Sequence, residues 1–86
     1  MKIVFYKNFE KQFSRLRFSE REQFKERKDI FLKDEFSLIL HNHSLKGKYK
    51  GYRSINISGD LRAVYKYINQ DTVIFVSIDT HSNLYY

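Results

Sequence analysis

Residues 52–78 read YRSINISGDLRAVYKYINQDTVIFVSI, and this stretch decides the fold. Three runs rich in β-branched and aromatic residues, Tyr52–Ile57, Leu61–Ile68 and Thr72–Ile78, are separated by Ser58-Gly59-Asp60 and Asn69-Gln70-Asp71. Both separators are turn chemistry, so the runs predict a meander of three antiparallel strands. A period of two sorts the side chains by face. Ile55 and Ile57 oppose Ser54 and Asn56; Ala63, Tyr65 and Tyr67 oppose Arg62, Val64 and Lys66. Ile74, Val76 and Ile78 form the fully apolar face of the last strand, expected to meet helices. That arrangement leaves Arg62 and Lys66 beside Ser54 and Asn56 on an uncovered face. Cations and small polar groups there add little stability, but they suit a phosphodiester.

The rest of the chain supplies the covering layer. Lys2–Tyr6 reads as a short strand whose place in the sheet is open. Asn8 is expected to cap a helix that buries Phe9, Phe13 and Leu16 at i, i+4 and i+7. Ser19 and Glu22 have capping-box spacing for a second helix running to about residue 35. Phe24 and Phe31 form its buried stripe, flanked by Ile30 and Leu32, and its charges pair along a solvated face. Residues 36–51 are expected to be irregular, with Leu38, Ile39 and Leu40 plugging the core and Leu45 anchoring the segment. Gly47 and Gly51 punctuate it. The order is β-α-α-β-β-β, an α+β fold with both helices on one face of a small sheet.

Composition bounds the chemistry. Eighty-six residues make one domain, spanning residues 1–86, and 42% apolar content suffices for a core. The absence of cysteine excludes disulfides, thiolate metal sites and cysteine nucleophiles. No apolar run approaches membrane-spanning length and no signal-peptide pattern opens the chain, so a cytoplasmic protein without membrane partners is expected. The net charge is +6. Lys46, Lys48, Lys50 and Arg53 form an acid-free run interrupted by Tyr49 and Tyr52. Cations hold phosphates and flat rings stack on unpaired bases, which fits a nucleic-acid surface. An acidic protein partner fits the same field, as does an ordinary solvated loop.

The three histidines are His41, His43 and His81. An i,i+2 pair and one distant histidine, with no cysteine, make a poor metal set, and no cofactor motif is present. Proton transfer is the better use of imidazole. RNA carries its own nucleophile, the 2′-OH. Cleaving it takes a base for that hydroxyl, a cation for the developing phosphorane charge, and an acid for the 5′-oxygen. His43, Asp60, Arg62, His81 and Tyr85 offer those groups. Each also has a plain structural use: His43 as a loop residue, Asp60 in a turn, Arg62 as a cross-strand partner, and His81 with Tyr85 and Tyr86 in packing.

Four segments carry a resemblance: His43-Ser44-Leu45-Lys46-Gly47, Tyr49-Lys50-Gly51-Tyr52-Arg53, Asp60-Leu61-Arg62-Ala63-Val64-Tyr65 and Thr80-His81-Ser82-Asn83-Leu84-Tyr85. As an ordered set they resemble the YafQ branch of the RelE/ParE toxin superfamily, over about residues 38–86. The resemblance implies a type II toxin, a ribosome-dependent mRNA endonuclease held inactive by a cognate antitoxin. It also implies two helices against a twisted, mostly antiparallel sheet. It places the family's histidines on His43 and His81, its aspartate on Asp60, its aromatic on Tyr85 and its arginine on Arg62. Two positions depart from the pattern: Asn56 stands where relatives carry histidine, and Leu61 where they often carry tryptophan. Asparagine binds a phosphate or base but relays no proton at neutral pH.

On this reading His81 leads proton transfer, with Asp60 as alternative or orienter. Arg62 stabilises the phosphorane, His43 contacts substrate or shares proton transfer, and Tyr85 positions a base. Asn56, Lys46, Lys48, Lys50 and Arg53 bind messenger or ribosomal RNA. No cofactor is expected, and the partners are mRNA, the ribosome and an acidic antitoxin. Two rival readings share the fold: a non-nucleolytic, ParE-like poison of DNA gyrase, and a degenerate protein-binding relative.

Overall fold

The computed structural model describes residues 1–85; Tyr86, with its expected packing role, lies outside the described residues. Eight elements follow one another: β1 (Lys2–Phe5), α1 (Lys7–Ser14), α2 (Phe18–Lys33), β2 (His43–Ser44), β3 (Arg53–Asn56), β4 (Leu61–Asn69), β5 (Thr72–Thr80) and α3 (His81–Tyr85). Single 3-10 turns at Leu38–Leu40 and Gly47–Tyr49 flank β2. The meander forms as expected, with β5 two residues longer than its apolar pattern and ending in α3.

The sheet order is β1-β5-β4-β3-β2. β1 lies parallel to β5, pairing Ile3 with Val73 and Phe5 with Phe75. All other neighbours are antiparallel. Where β1 stops, Gln12 of α1 takes over its role. Its Oε1 accepts from the Ile78 N–H at 3.0 Å and from Ser77 Oγ at 2.9 Å.

The core lies between the sheet and α1–α2. Phe9, Phe24 and Phe31 meet Ile55, Ile57, Leu61, Ala63, Tyr65, Val73, Phe75 and Ile78, all buried. Phe75 is the hub: Phe5, Phe9, Phe24 and Phe31 set their rings edge-on to it at 5.5–6.0 Å. Edge-to-face pairs each add about 0.5–1.5 kcal/mol beyond burial.

The expected apolar face of β5 requires correction. The register slips between Val64 and Tyr65, pairing them with Ser77 and Phe75 and leaving Val76 as an extra residue. This bulge switches the phase, so Val73, Phe75 and Ile78 face the helices while Ile74 and Val76 face away.

Three smaller expectations also fail. α1 begins at Lys7 after an extended Tyr6, so Asn8 sits inside the helix and does not cap it. α2 begins two residues early: Arg17 is the N-cap, and Glu20 reaches back to accept its backbone N–H at 3.0 Å, displacing the expected Ser19–Glu22 box. That hydrogen bond holds the Glu20 carboxyl below its ordinary range. Of the expected plug only Leu40 is buried; Leu38 is 91% exposed and Ile39 48%. A three-residue 3-10 turn presents one side chain to the core and leaves its neighbours outside.

Candidate active site

The β4–β5 hairpin builds the site. Leu61 pairs with Thr80 and Arg62 with Asp79. One step further, the His81 backbone N–H donates to the Asp60 carbonyl at 2.9 Å. Groups from the two open ends of one hairpin thus meet at one corner of the sheet. β3 adds Asn56, the register partner of Arg62. Cross-strand partners share a face, so Asn56, Arg62 and Asp79 form a row on the side away from α1 and α2. Asp60 and His81 are exposed; Asn56, Arg62 and Tyr85 are half-buried.

The Arg62 guanidinium is folded back onto the turn. Its Nη1 donates to the carbonyls of Ser58, Gly59 and Leu61 at 3.2, 3.1 and 3.2 Å. Asp79, though opposite in register, is engaged elsewhere. Its Oδ1 accepts from the Thr80 N–H at 2.8 Å and from Asn83 Nδ2 at 3.0 Å, tying down the start of α3. The His81 ring meets the Tyr85 ring at 4.8 Å, one helical turn away. Among the described residues no side chain hydrogen-bonds either His81 nitrogen.

His43 lies on the same face but at the sheet edge, opposite Ser54. Two strand spacings and one pleat repeat separate its Cα from that of Arg62 by roughly 12 Å. Its Nδ1 stands 2.8 Å from the His41 carbonyl. A carbonyl only accepts, so Nδ1 carries the proton and neutral His43 presents Nε2 as an acceptor.

Lys46, Lys48 and Lys50 are exposed on the loop between β2 and β3. Gly47 and Gly51 bracket it at φ +64° and +93°, a region that L side chains avoid. Lys48 Nζ sits 5.3 Å over the Tyr49 ring. Arg53 does not join this group. It pairs with Tyr65 and so shares the helix face, its Nε donating to Asn42 Oδ1 at 2.8 Å and its guanidinium lying over Phe36.

The face expected to be uncovered is partly roofed. Val64 is fully buried and Leu84 nearly so, yet both stand apart from the helix-side core. On this side α3 and the 45–52 loop meet through their aromatic side chains. Their rings join edge to face: Tyr85 to Tyr49 and Tyr49 to Tyr52, each at 6.2 Å.

The family described as the bacterial toxin of the type II toxin-antitoxin system, YafQ, matches residues 1–86. The chain belongs to this family. A YafQ-named chain of Haemophilus influenzae is 50% identical over 30 residues, 35% of this chain and 29% of that one. The crystal structure of YafQ from Escherichia coli superposes with a TM-score of 0.79 at 19% identity, covering 99% of this chain and 98% of that one. RelE in the RelB–RelE antitoxin–toxin complex of Methanococcus jannaschii gives 0.72 at 25% identity, covering 95% and 94%. The fold is that of the RelE-like toxins.

This YafQ-family chain has further features at the site that its sequence hides. Arg27 of α2 lines a cleft of about 220 Å³ with Asn56, Ser58 and Gly59. In sequence it is one charge among many on a solvated helix, and no signal separates it. Two buried hydroxyls, Ser54 Oγ and Tyr85 Oη, have no hydrogen-bond partner among the described residues. Far from the corner, Glu35 accepts from both Tyr65, at 2.6 Å, and Tyr67. Asn42 Nδ2 donates to the Tyr65 hydroxyl at 2.7 Å. Burial, then the Glu35 bond, raise the pKa of both phenols, that of Tyr67 to about 12. This network anchors the α2–β2 connection and takes no part in the corner.

Proposed function

We propose that this type II toxin is a ribosome-dependent mRNA endonuclease that uses the 2′-OH of its substrate as nucleophile. The observation that carries the reading is the meeting of Asp60, Arg62 and His81 at one hairpin end, with Asn56 alongside. A base removes the 2′-OH proton, and the oxygen attacks the adjacent phosphorus. The P–O5′ bond breaks, and an acid protonates the departing 5′-oxygen. Imidazole serves either proton step near neutral pH, and His81 takes the lead, with Asp60 as alternative or orienter. No metal is required by this chemistry.

Arg62 stabilises the phosphorane. Its three turn carbonyls are neutral partners, and a phosphorane is anionic. A charge-assisted bond is roughly twice as strong as a neutral one, so the guanidinium swings to the substrate when RNA arrives. Asn56 donates to phosphate or base. His43, at the edge, contacts RNA beyond the scissile link, and Tyr85 positions a base. Lys46, Lys48 and Lys50 hold messenger or ribosomal phosphates; Arg53, on the other face, serves at most the rim of the ribosomal contact.

The +6 charge favours an acidic antitoxin as partner, and the Methanococcus jannaschii relative was crystallised with its antitoxin. Among the described residues no helix is long and apolar enough to cross a membrane.

The ends of the RNA products test the mechanism. A 2′,3′-cyclic or 3′-phosphate with a 5′-hydroxyl is expected from a message translated in vitro, and no cleavage without ribosomes. Undiminished cleavage by a His81→Ala, Asp60→Ala double variant removes the assignment. Inhibition of DNA supercoiling with messages left intact replaces it with gyrase poisoning.

A further inference from the structure

The aromatic contacts on the open face continue beyond the corner. From His81 they run through Tyr85 and Tyr49 to Tyr52, at 4.8, 6.2 and 6.2 Å between centroids. Lys66 Nζ lies 5.1 Å over the Tyr52 ring, as Lys48 lies over Tyr49. His81 is exposed and the three tyrosines are partly so, and two of the four rings carry a cation. The path ends in a recess of about 380 Å³. Its floor is Ile74 and Val76, its walls are Tyr6 and Tyr52, and Lys66 stands at its rim.

The bulge makes this recess. By putting Phe75 inward it turns Ile74 and Val76 to the open face, outside the core under α1 and α2. Beyond Arg53 there is no β3 residue to pair with Lys66 and Tyr67, so the sheet narrows beside it. Tyr6 follows β1 directly and is 53% exposed.

We propose that this recess is a second RNA subsite, which takes one nucleobase of the single-stranded substrate several nucleotides from the scissile link. The inference rests on the endonuclease reading above. An apolar floor between two phenol rings matches the flat, weakly polar faces of a base, and stacking tolerates any base. The lysine at the rim matches the phosphate that must accompany the base. The tyrosine path supplies a continuous surface for the intervening nucleotides. The substrate is therefore gripped at both ends of one face, with chemistry at one end only.

Fluorescence anisotropy with 2′-O-methyl oligouridylates of two and six nucleotides tests this. These RNAs lack a free 2′-OH and cannot be cleaved, so the result is independent of whether Asp60 and His81 cut. The hexamer is expected to bind about tenfold more tightly than the dimer, as one or two additional stacked bases would provide. In the Tyr6→Ser, Lys66→Ala double variant the advantage should fall below about threefold. Both positions are exposed, and circular dichroism verifies that the variant folds. Should it not, amide NMR shifts at Lys66, Ile74 and Val76 of the unaltered protein, seen with the hexamer and absent with the dimer, carry the same information. Equal affinity for the two lengths, an undiminished advantage in the folded variant, or hexamer shifts confined to the His81 corner overturns the subsite. Product ends on a cleavable message judge the endonuclease reading separately.

Discussion

The two faces of the sheet use different aromatics. Toward the helices lie Phe5, Phe9, Phe13, Phe24, Phe31 and Phe75, in mutual contact. On the other face lie Tyr6, Tyr49, Tyr52 and Tyr85. Phenylalanines need only one another, and they form the core under α1 and α2. Tyrosines keep edges and hydroxyls for something else, and one of those hydroxyls is buried without a partner among the described residues. Tyr65 and Tyr67 show the alternative. On the helix face their hydroxyls are delivered to Glu35. The difference separates a face built for stability from one built for contact.

Substitution tests that separation. The largest effect is expected from Phe75→Ala. It empties a fully buried position against four phenylalanines and Tyr65, at a cost of about 3–5 kcal/mol, read as a collapsed urea midpoint. For a domain this small that is most of the stability. On the other face, His81→Ala should leave the urea midpoint within about 0.5 kcal/mol of the parent, because the side chain is exposed. Its message-cleavage rate should fall about 10²–10⁴-fold. A His81→Ala protein that loses stability but not rate would put His81 in the structural class.

A third test uses pH. The neutral Tyr67 phenol is favoured by the fold, with its pKa raised from 10 to about 12. The stabilisation is therefore complete below pH 10 and is lost as pH climbs toward 12. Urea midpoints at pH 9 and pH 11 should diverge, and Tyr67→Phe should reduce the divergence. The smallest effect is Tyr85→Phe, which deletes a buried hydroxyl that has no partner among the described residues. It should be neutral or stabilising by up to about 1 kcal/mol. A loss above that range would reveal a bond for Tyr85 and weaken the contrast between the faces.

The meander was legible because Ser58-Gly59-Asp60 and Asn69-Gln70-Asp71 are chemically unlike the runs they separate. Asp60, Arg62 and His81 were legible by their chemistry and by the resemblance; that hairpin pairing sets Asp60 and Arg62 against the end of β5, where His81 follows, emerges only once β5 is seen to run on to Thr80. The phase of β5 was not legible. Thr72–Ile78 is apolar on nearly every residue, so alternation has no contrast to read, and a single extra residue at Val76 reverses it. Arg53 was misplaced because its charge was read with the lysine loop, whereas its register with Tyr65 puts it on the opposite face. The folded-back guanidinium of Arg62 is a rotamer choice made by three carbonyls, and no pattern of residue types announces it.

The parallel pairing of β1 with β5 has a consequence for synthesis. Phe5 and Phe75 lie far apart in sequence, yet each completes the other's surroundings. Contacts so distant in sequence close late, because the loop between them must be ordered first. A nascent chain lacking β5 has neither a closed core nor His81. Until β5 pairs, Phe5 and the helix phenylalanines lack the one ring that all four of Phe5, Phe9, Phe24 and Phe31 meet.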